Sequence, residues 1–293
     1  MHEYALKSMP VLSRVQALAF SVFDLVNDLR LHVLLNYLLV VSWFLYASNV
    51  SVKNSVSYAL FAACIGGFAY LLNRYTDYSY DVIVDRGLKK APRWAYLIFS
   101  GAFLFIGISL CLQNTEYLIP VLIGIALGIF YSVKTFFRYP IKNYFLIKNI
   151  FAAGSKYIGT MIGAALFVPM SEAIFMRSIS LFAFYIIYEI LWDIRDMESD
   201  TAGKVATIPL LIGKSDTLFL CGAIWIVSLA FQFPAVRLTD HFFLKYIVVL
   251  FFILSLIEVR SVRWFHAMVY AHLLLNLVFV NDEVMRYLAL MLR

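Results

Sequence analysis

The sequence predicts an all-α, polytopic membrane protein with about nine transmembrane helices in one bundle. Three observations carry this. Hydrophobic residues make up 63% of the 293 residues and charged residues only 14%. A soluble domain carries about a quarter charged residues and could not hide this much apolar surface in one core. Apolar runs of bilayer-crossing length, roughly 20 residues, recur along the chain, and Lys and Arg collect in alternate loops.

In chain order, residues 1–30 contain Lys7, Asp24, Asp28 and Arg30 without a continuous apolar stretch. They read as an amphipathic segment on the membrane surface, and no cleavable signal peptide is evident. Spans are then expected at 31–50, 56–75, 94–112, 117–134, 147–169, 173–193, 217–236, 242–258 and 264–281. In a bilayer the backbone must satisfy its own hydrogen bonds, so each is read as a helix. The whole chain, 1–293, forms a single membrane domain.

Nine spans segregate the basic residues. One side receives Lys7, Arg14 and Arg30 together with the loops holding Arg74 to Arg93, Lys134 to Lys148, Arg195 to Lys214, and Arg260 and Arg263. That side holds 17 of the 24 Lys and Arg residues, the other holds 6, and Lys156 falls inside a span. The positive-inside rule then puts the N-terminus in the cytoplasm and the C-terminus outside. The two longest polar loops, 76–93 and 194–216, share the cytoplasmic side, so the chemistry is expected there. The net charge of +6 is a topology signal and a source of anion contacts, with no stripe of the kind that binds nucleic acid.

Acids gather at the ends of two spans. Asn73, Asp77 and Asp81 stand at i, i+4 and i+8; Asp193, Asp196 and Asp200 stand at i, i+3 and i+7. Each set lines one helical face, and Glu189 lies one turn before the second set. Asp77 to Asp196 and Asp81 to Asp200 are both separated by 119 residues, a weak sign of a repeat relating spans 1–4 to spans 5–8. Like charges on one face repel, and ionised groups near lipid are costly; a bound cation removes both penalties. Carboxylates and an amide are hard oxygen ligands suited to Mg²⁺. Two facing clusters could hold ions that clamp one diphosphate, with Arg86, Lys89, Lys142, Lys148 and Lys204 neutralising the remaining charge. The competing reading is a solvated helix-end face.

With these residues in view, the chain resembles the UbiA superfamily of intramembrane prenyltransferases. That superfamily carries an Asn-x-x-x-Asp-x-x-x-Asp motif after its second helix, matched by Asn73, Asp77 and Asp81. Its second, Asp-rich motif after the sixth helix is matched by Asp193, Asp196 and Asp200, followed by Gly203, Thr207, Pro209 and Gly213. Tyr131-Ser132 and Lys148-Asn149 are similar to its fourth-to-fifth helix region. Two positions depart from the pattern: Arg74 stands where many members have an acid, and Arg93 is followed by Trp94 instead of Pro. The resemblance implies a bundle around a central apolar cavity, with Mg²⁺, or Mn²⁺ in its place, on Asn73 and the five aspartates. It implies Asp77, Asp81, Asp196 and Asp200 as catalytic residues, in a bacterial cell membrane. The expected partners are a prenyl diphosphate and a lipophilic or aromatic acceptor, with membrane lipid around and no nucleic acid.

The expected reaction moves a prenyl group to the acceptor. One alternative is a terpene cyclase on the same scaffold, which folds the tail onto its own cation. A second is an ion-coupled transporter or lipid-binding protein, although paired Gly/Pro breaks in the spans are missing. Lys156, about two turns inside the fifth span on the face of Lys148 and Asn149, reads either as a functional residue or as the partner of a buried acid such as Glu189. Most of the 19 tyrosines fit an interfacial belt, and a few could face a carbocation. His266 and His272 share no helical face and read as packing residues. Cys64, Cys111 and Cys221 have neither metal nor disulfide spacing.

Overall fold

The computed structural model describes residues 25–26, 28–29, 31–78, 91–133, 144–203 and 205–232. These form α1 (Leu31–Ala47), α2 (Val52–Thr76), α3 (Arg93–Gln113), α4 (Leu118–Ser132), α5 (Ile147–Phe167), α6 (Glu172–Gly203), the short α7 (Ile208–Ile212) and α8 (Lys214–Gln232). Among the described residues there is no strand. Among the described residues, five helical segments are long and apolar enough to cross a membrane: Val52–Thr76, Arg93–Gln113, Thr115–Ser132, Ile147–Phe167 and Glu172–Glu198. The spans expected at 242–258 and 264–281 lie outside the described residues, as does most of the N-terminal segment.

The six expected spans from 31 to 193 each coincide with a helix. The largest difference is at the sixth, where hydropathy ends the span at residue 193 but α6 continues to Gly203. The residues in between, Ile194-Arg-Asp-Met-Glu-Ser-Asp-Thr-Ala, are polar but contain no Gly or Pro. Nothing breaks the helix until Gly203, so the second acidic motif is carried on the helix itself.

The bundle is organised around α2, which packs against α1, α3 and α4, while α6 packs against α5 and α8. α2 is buried along most of its length, through Tyr58, Phe61, Ile65, Phe68 and Leu71. α3 lies at the periphery and shows large apolar side chains outward, with Phe105 72% and Leu112 77% exposed. Such a surface suits lipid. Helices in lipid gain mostly from close packing through small residues. Gly159 and Gly163 on α5 provide such a face: the Tyr58 ring fills the space a Cβ at Gly163 would need, and the Tyr58 hydroxyl donates to the Gly159 carbonyl at 2.6 Å.

The N-terminal segment is tied to the bundle by Asp28. This carboxylate accepts from the Arg74 guanidinium at 2.8 Å, the Ala91 N–H at 2.8 Å and the Tyr96 hydroxyl at 2.5 Å. Arg74 and Asp28 are 4% and 3% exposed. Arg74, one of the departures from the motif pattern, is thus a buried structural partner of Asp28.

Candidate active site

Four helices, α1, α2, α4 and α5, with Glu189 of α6, enclose a cavity of about 160 Å³. Along α2 its lining runs from Tyr58 to Asn73, a distance of about 22 Å at 1.5 Å per residue. The long wall is apolar, built from residues such as Phe61, Ile65, Ile123 and Leu127. Polar groups collect on one part of it: Asn73, Tyr70, Tyr131, Ser155, Lys156 and Glu189. An elongated apolar slot with a few convergent polar groups is the usual form of a small-molecule site.

One acid from each motif lies near Tyr131, which lines this cavity together with Asn73. Asn73 lines it on the last turn of α2, and Asp77 caps that helix, its N–H bonded to the Asn73 carbonyl at 2.9 Å. The Tyr131 hydroxyl, on the last turn of α4, lies within electrostatic reach of Asp77 from the first motif and of Asp193 and Glu189 from α6. Asp77 and Asp193, far apart in sequence, thus both lie near Tyr131.

Within the second motif the helical spacing works as expected for two of the three acids. Lys148, on the first turn of α5, places its ammonium 2.8 Å from Asp193 Oδ1 and 3.9 Å from Asp200 Oδ2. Asn149 Nδ2 donates to the other Asp193 oxygen at 2.9 Å. Asp193 and Asp200, seven residues or two turns apart, thus share one cation. Asp196 turns elsewhere: its two oxygens accept from Arg195 Nε and Nη2 at 2.6 and 2.7 Å, and that guanidinium stacks 4.4 Å from the Trp192 ring. Among the described residues no group of three acids, cysteines or histidines forms a ready-made metal cage. The oxygen donors nonetheless fit a hard cation, since two carboxylates already converge on a single positive charge. Of the other expected site residues, Asp81, Arg86, Lys89, Lys142 and Lys204 lie outside the described residues.

Deeper in the cavity the same two helices build a second polar contact. Lys156 Nζ donates to Glu189 Oε1, with side chains 11% and 15% exposed. The ammonium also sits 5.3 Å from the Tyr70 ring and 5.6 Å from the Tyr188 ring, within the range of cation–π attraction. Of the two readings of Lys156, its pairing with Glu189 is observed. What spacing alone missed is that the pair lines the cavity. The signal was present as two charged residues inside apolar spans, but nothing in the sequence said which way they faced.

The UbiA prenyltransferase family profile matches residues 33–278. No curated protein matches. Among solved structures, a UbiA homolog from Archaeoglobus fulgidus bound to DMAPP and Mg²⁺ is similar, with a TM-score of 0.60 and 17% identity over 86% of this chain and 97% of that one. The same homolog bound to GPP and Mg²⁺ gives a TM-score of 0.59 and 17% identity over 87% of this chain and 98% of that one. At this identity the likeness is one of fold.

Proposed function

Because the chain belongs to the UbiA prenyltransferase family, we propose that it is a Mg²⁺-dependent intramembrane prenyltransferase that moves a prenyl group from a prenyl diphosphate to a lipophilic or aromatic acceptor. The observation that supports this reading is that Asp77 of the first acidic motif and Asp193 of the second both lie near Tyr131, which lines a long apolar cavity together with Asn73. The similar Archaeoglobus fulgidus structures, bound to DMAPP or GPP with Mg²⁺, support the same pairing of metal and prenyl diphosphate.

The prenyl tail lies in the apolar slot between α2, α4 and α5, and its diphosphate sits at the acidic end. Asn73, Asp77, Asp81, Asp193, Asp196 and Asp200 are the oxygen donors that would hold Mg²⁺. The metal would supply neutralisation of the charge that builds on the departing diphosphate. Lys148, shared between Asp193 and Asp200, is placed to turn its spare N–H groups to a phosphate oxygen. Arg86, Lys89, Lys142 and Lys204, basic residues that the sequence assigns to the same membrane side, are given the same role. The dry, apolar walls keep water from an allylic carbon that becomes cation-like.

The test gives the purified protein labelled prenyl diphosphates of several lengths, Mg²⁺ and a lipid extract of the source cells, and identifies the products by mass. Prenylated lipid that appears only with Mg²⁺ or Mn²⁺ is the expected result. Full product formation in excess chelator would overturn the diphosphate clamp, and a cyclic hydrocarbon from the diphosphate alone would replace transfer by cyclisation.

A further inference from the structure

The Lys156–Glu189 pair calls for its own account. Two charges removed from water are costly, and a well-packed apolar pair of similar volume is often as stable or more so. In a membrane interior the penalty grows, and ionisable residues there tend to serve function. This pair also lines the cavity instead of bracing two helices behind it.

Its depth is informative. Glu189 precedes Asp193 by four residues on α6, about 6 Å along the axis. Lys156 follows Lys148 by eight residues on α5, about 12 Å, and helical side chains lean toward the N-terminus, which here means back toward Lys148. The carboxylate of Glu189 therefore lies about one turn inside the Asp193–Lys148 level, on the cavity side of the proposed diphosphate position. Among the described residues Glu189 makes one hydrogen bond, through Oε1 to Lys156, and its second oxygen is available to the cavity. Asp193 and Asp196, by contrast, have both oxygens engaged by Lys148, Asn149 and Arg195.

We infer that Glu189 is the proton acceptor for the incoming nucleophile, with Lys156 as the positioning residue that holds the carboxylate in orientation. The inference rests on the prenyl-transfer reading. In the step, the bond from the prenyl carbon to the diphosphate oxygen breaks and the diphosphate leaves with the bonding electrons. The nucleophilic atom of the acceptor bonds to that carbon, and the proton the nucleophile carried passes to the free oxygen of Glu189. The acceptor is thereby one whose reacting atom bears a proton, held against the polar strip of Tyr70, Ser155 and Glu189, while the donor tail takes the apolar wall opposite.

The test uses membranes carrying the full chain, tritiated geranyl diphosphate with Mg²⁺, and a total lipid extract of the source cells as the acceptor mixture. E189Q is expected to bind geranyl diphosphate within about threefold of wild type while transfer of label to lipid falls about 100-fold, the usual weight of a general base. E189D should recover part of the loss. The charge-swapped K156E/E189K restores an ion pair but moves the carboxylate to α5, so it should regain thermal stability without regaining transfer. Wild-type transfer in E189Q, or recovery of transfer in the swapped variant, would overturn the inference and leave the pair a structural bridge. If wild type binds no geranyl diphosphate and labels no lipid, the prenyl-transfer reading itself fails and takes this inference with it. That outcome is visible before any variant is made.

Discussion

α5 and α6 cross the same two helix faces twice with a lysine and an acid, and the two crossings are built differently. At the outer one, Lys148 is shared by Asp193 and Asp200, and Asn149 supports the arrangement. At the inner one, Lys156 and Glu189 pair one to one, flanked by Tyr70 and Tyr188. The outer set brings carboxylates from two turns of α6 to one ammonium, while the inner set joins one carboxylate to one ammonium. Converging carboxylates suit a metal-held anion that comes and goes, whereas a one-to-one pair in a dry wall suits a fixed charge distribution facing one reacting atom. The comparison shows how one helix–helix contact can serve two chemistries a turn or two apart.

The largest effect that would sharpen this contrast is on turnover. Asp77→Asn and Asp196→Asn each remove one anionic donor while nearly keeping shape. Under the proposed function each should lower transfer about 100-fold or more, the scale of losing one preorganised electrostatic contact. The double variant should be little worse than the worse single one, because groups that act as a unit are not additive. Near-normal transfer in both, with monodispersity in detergent retained, would reduce the outer acids to a solvated helix face.

Much of this was legible in the chain before the structure. The six spans from 31 to 193 followed from apolar length. Helical spacing placed Asp193 and Asp200 on one face, where Lys148 now joins them. Other features were hidden for physical reasons. Hydropathy measures transfer to lipid, so it ended the sixth span at 193, but helix continuity depends on the absence of a breaker and carried α6 to Gly203. The partner of Arg74 is Asp28, 46 residues away on a segment read as surface-bound. Spacing said that Lys156 and Glu189 were buried charges, but only packing could show that they face a cavity. Asp196 shares its sequence pattern with Asp193, yet it pairs with its own neighbour Arg195, a choice made by rotamers and not by helical period.

A smaller effect, on stability, tests the difference between the two crossings. Lys156→Met leaves Glu189 buried without its cation and should destabilise by about 3–5 kcal/mol, the usual result of breaking one side of a buried pair. Mg²⁺ should not repair this, because one carboxylate in an apolar wall is a poor site for an ion that retains its waters. Lys148→Met should also lower the unfolding temperature in chelator, but there Mg²⁺ with geranyl diphosphate should restore much of it, because the carboxylates left by the lysine are oxygen donors for the metal. Equal rescue of both variants, or of neither, would break the distinction between the outer and inner sites. Unfolding temperature in detergent, with and without metal and diphosphate, is the measurement.

The smallest expected effect concerns the third contact on α6, between Arg195 and Asp196. The two residues are neighbours in sequence, so their bond links no two helices; the Arg195 side chain is 7% exposed and that of Asp196 23%. If Asp196 serves as a metal donor, its contact with Arg195 is a resting arrangement that gives way when metal and diphosphate bind. Arg195→Gln would then leave Asp196 free to turn toward the outer cluster. The variant should lose little stability, some of it through the stack on Trp192 rather than through charge. Its transfer rate should stay within about threefold of wild type, and its Mg²⁺ requirement should shift to equal or lower concentration, since one competing cation has been removed. A loss of transfer as large as that of Asp196→Asn would assign Arg195 a direct role at the diphosphate and place a second shared cation at the outer site, erasing the asymmetry between Lys148 and the rest of α6. A Mg²⁺ titration of transfer for wild type, Arg195→Gln and Asp196→Asn side by side separates these outcomes, because only a donor residue alters the metal requirement and the maximal rate together.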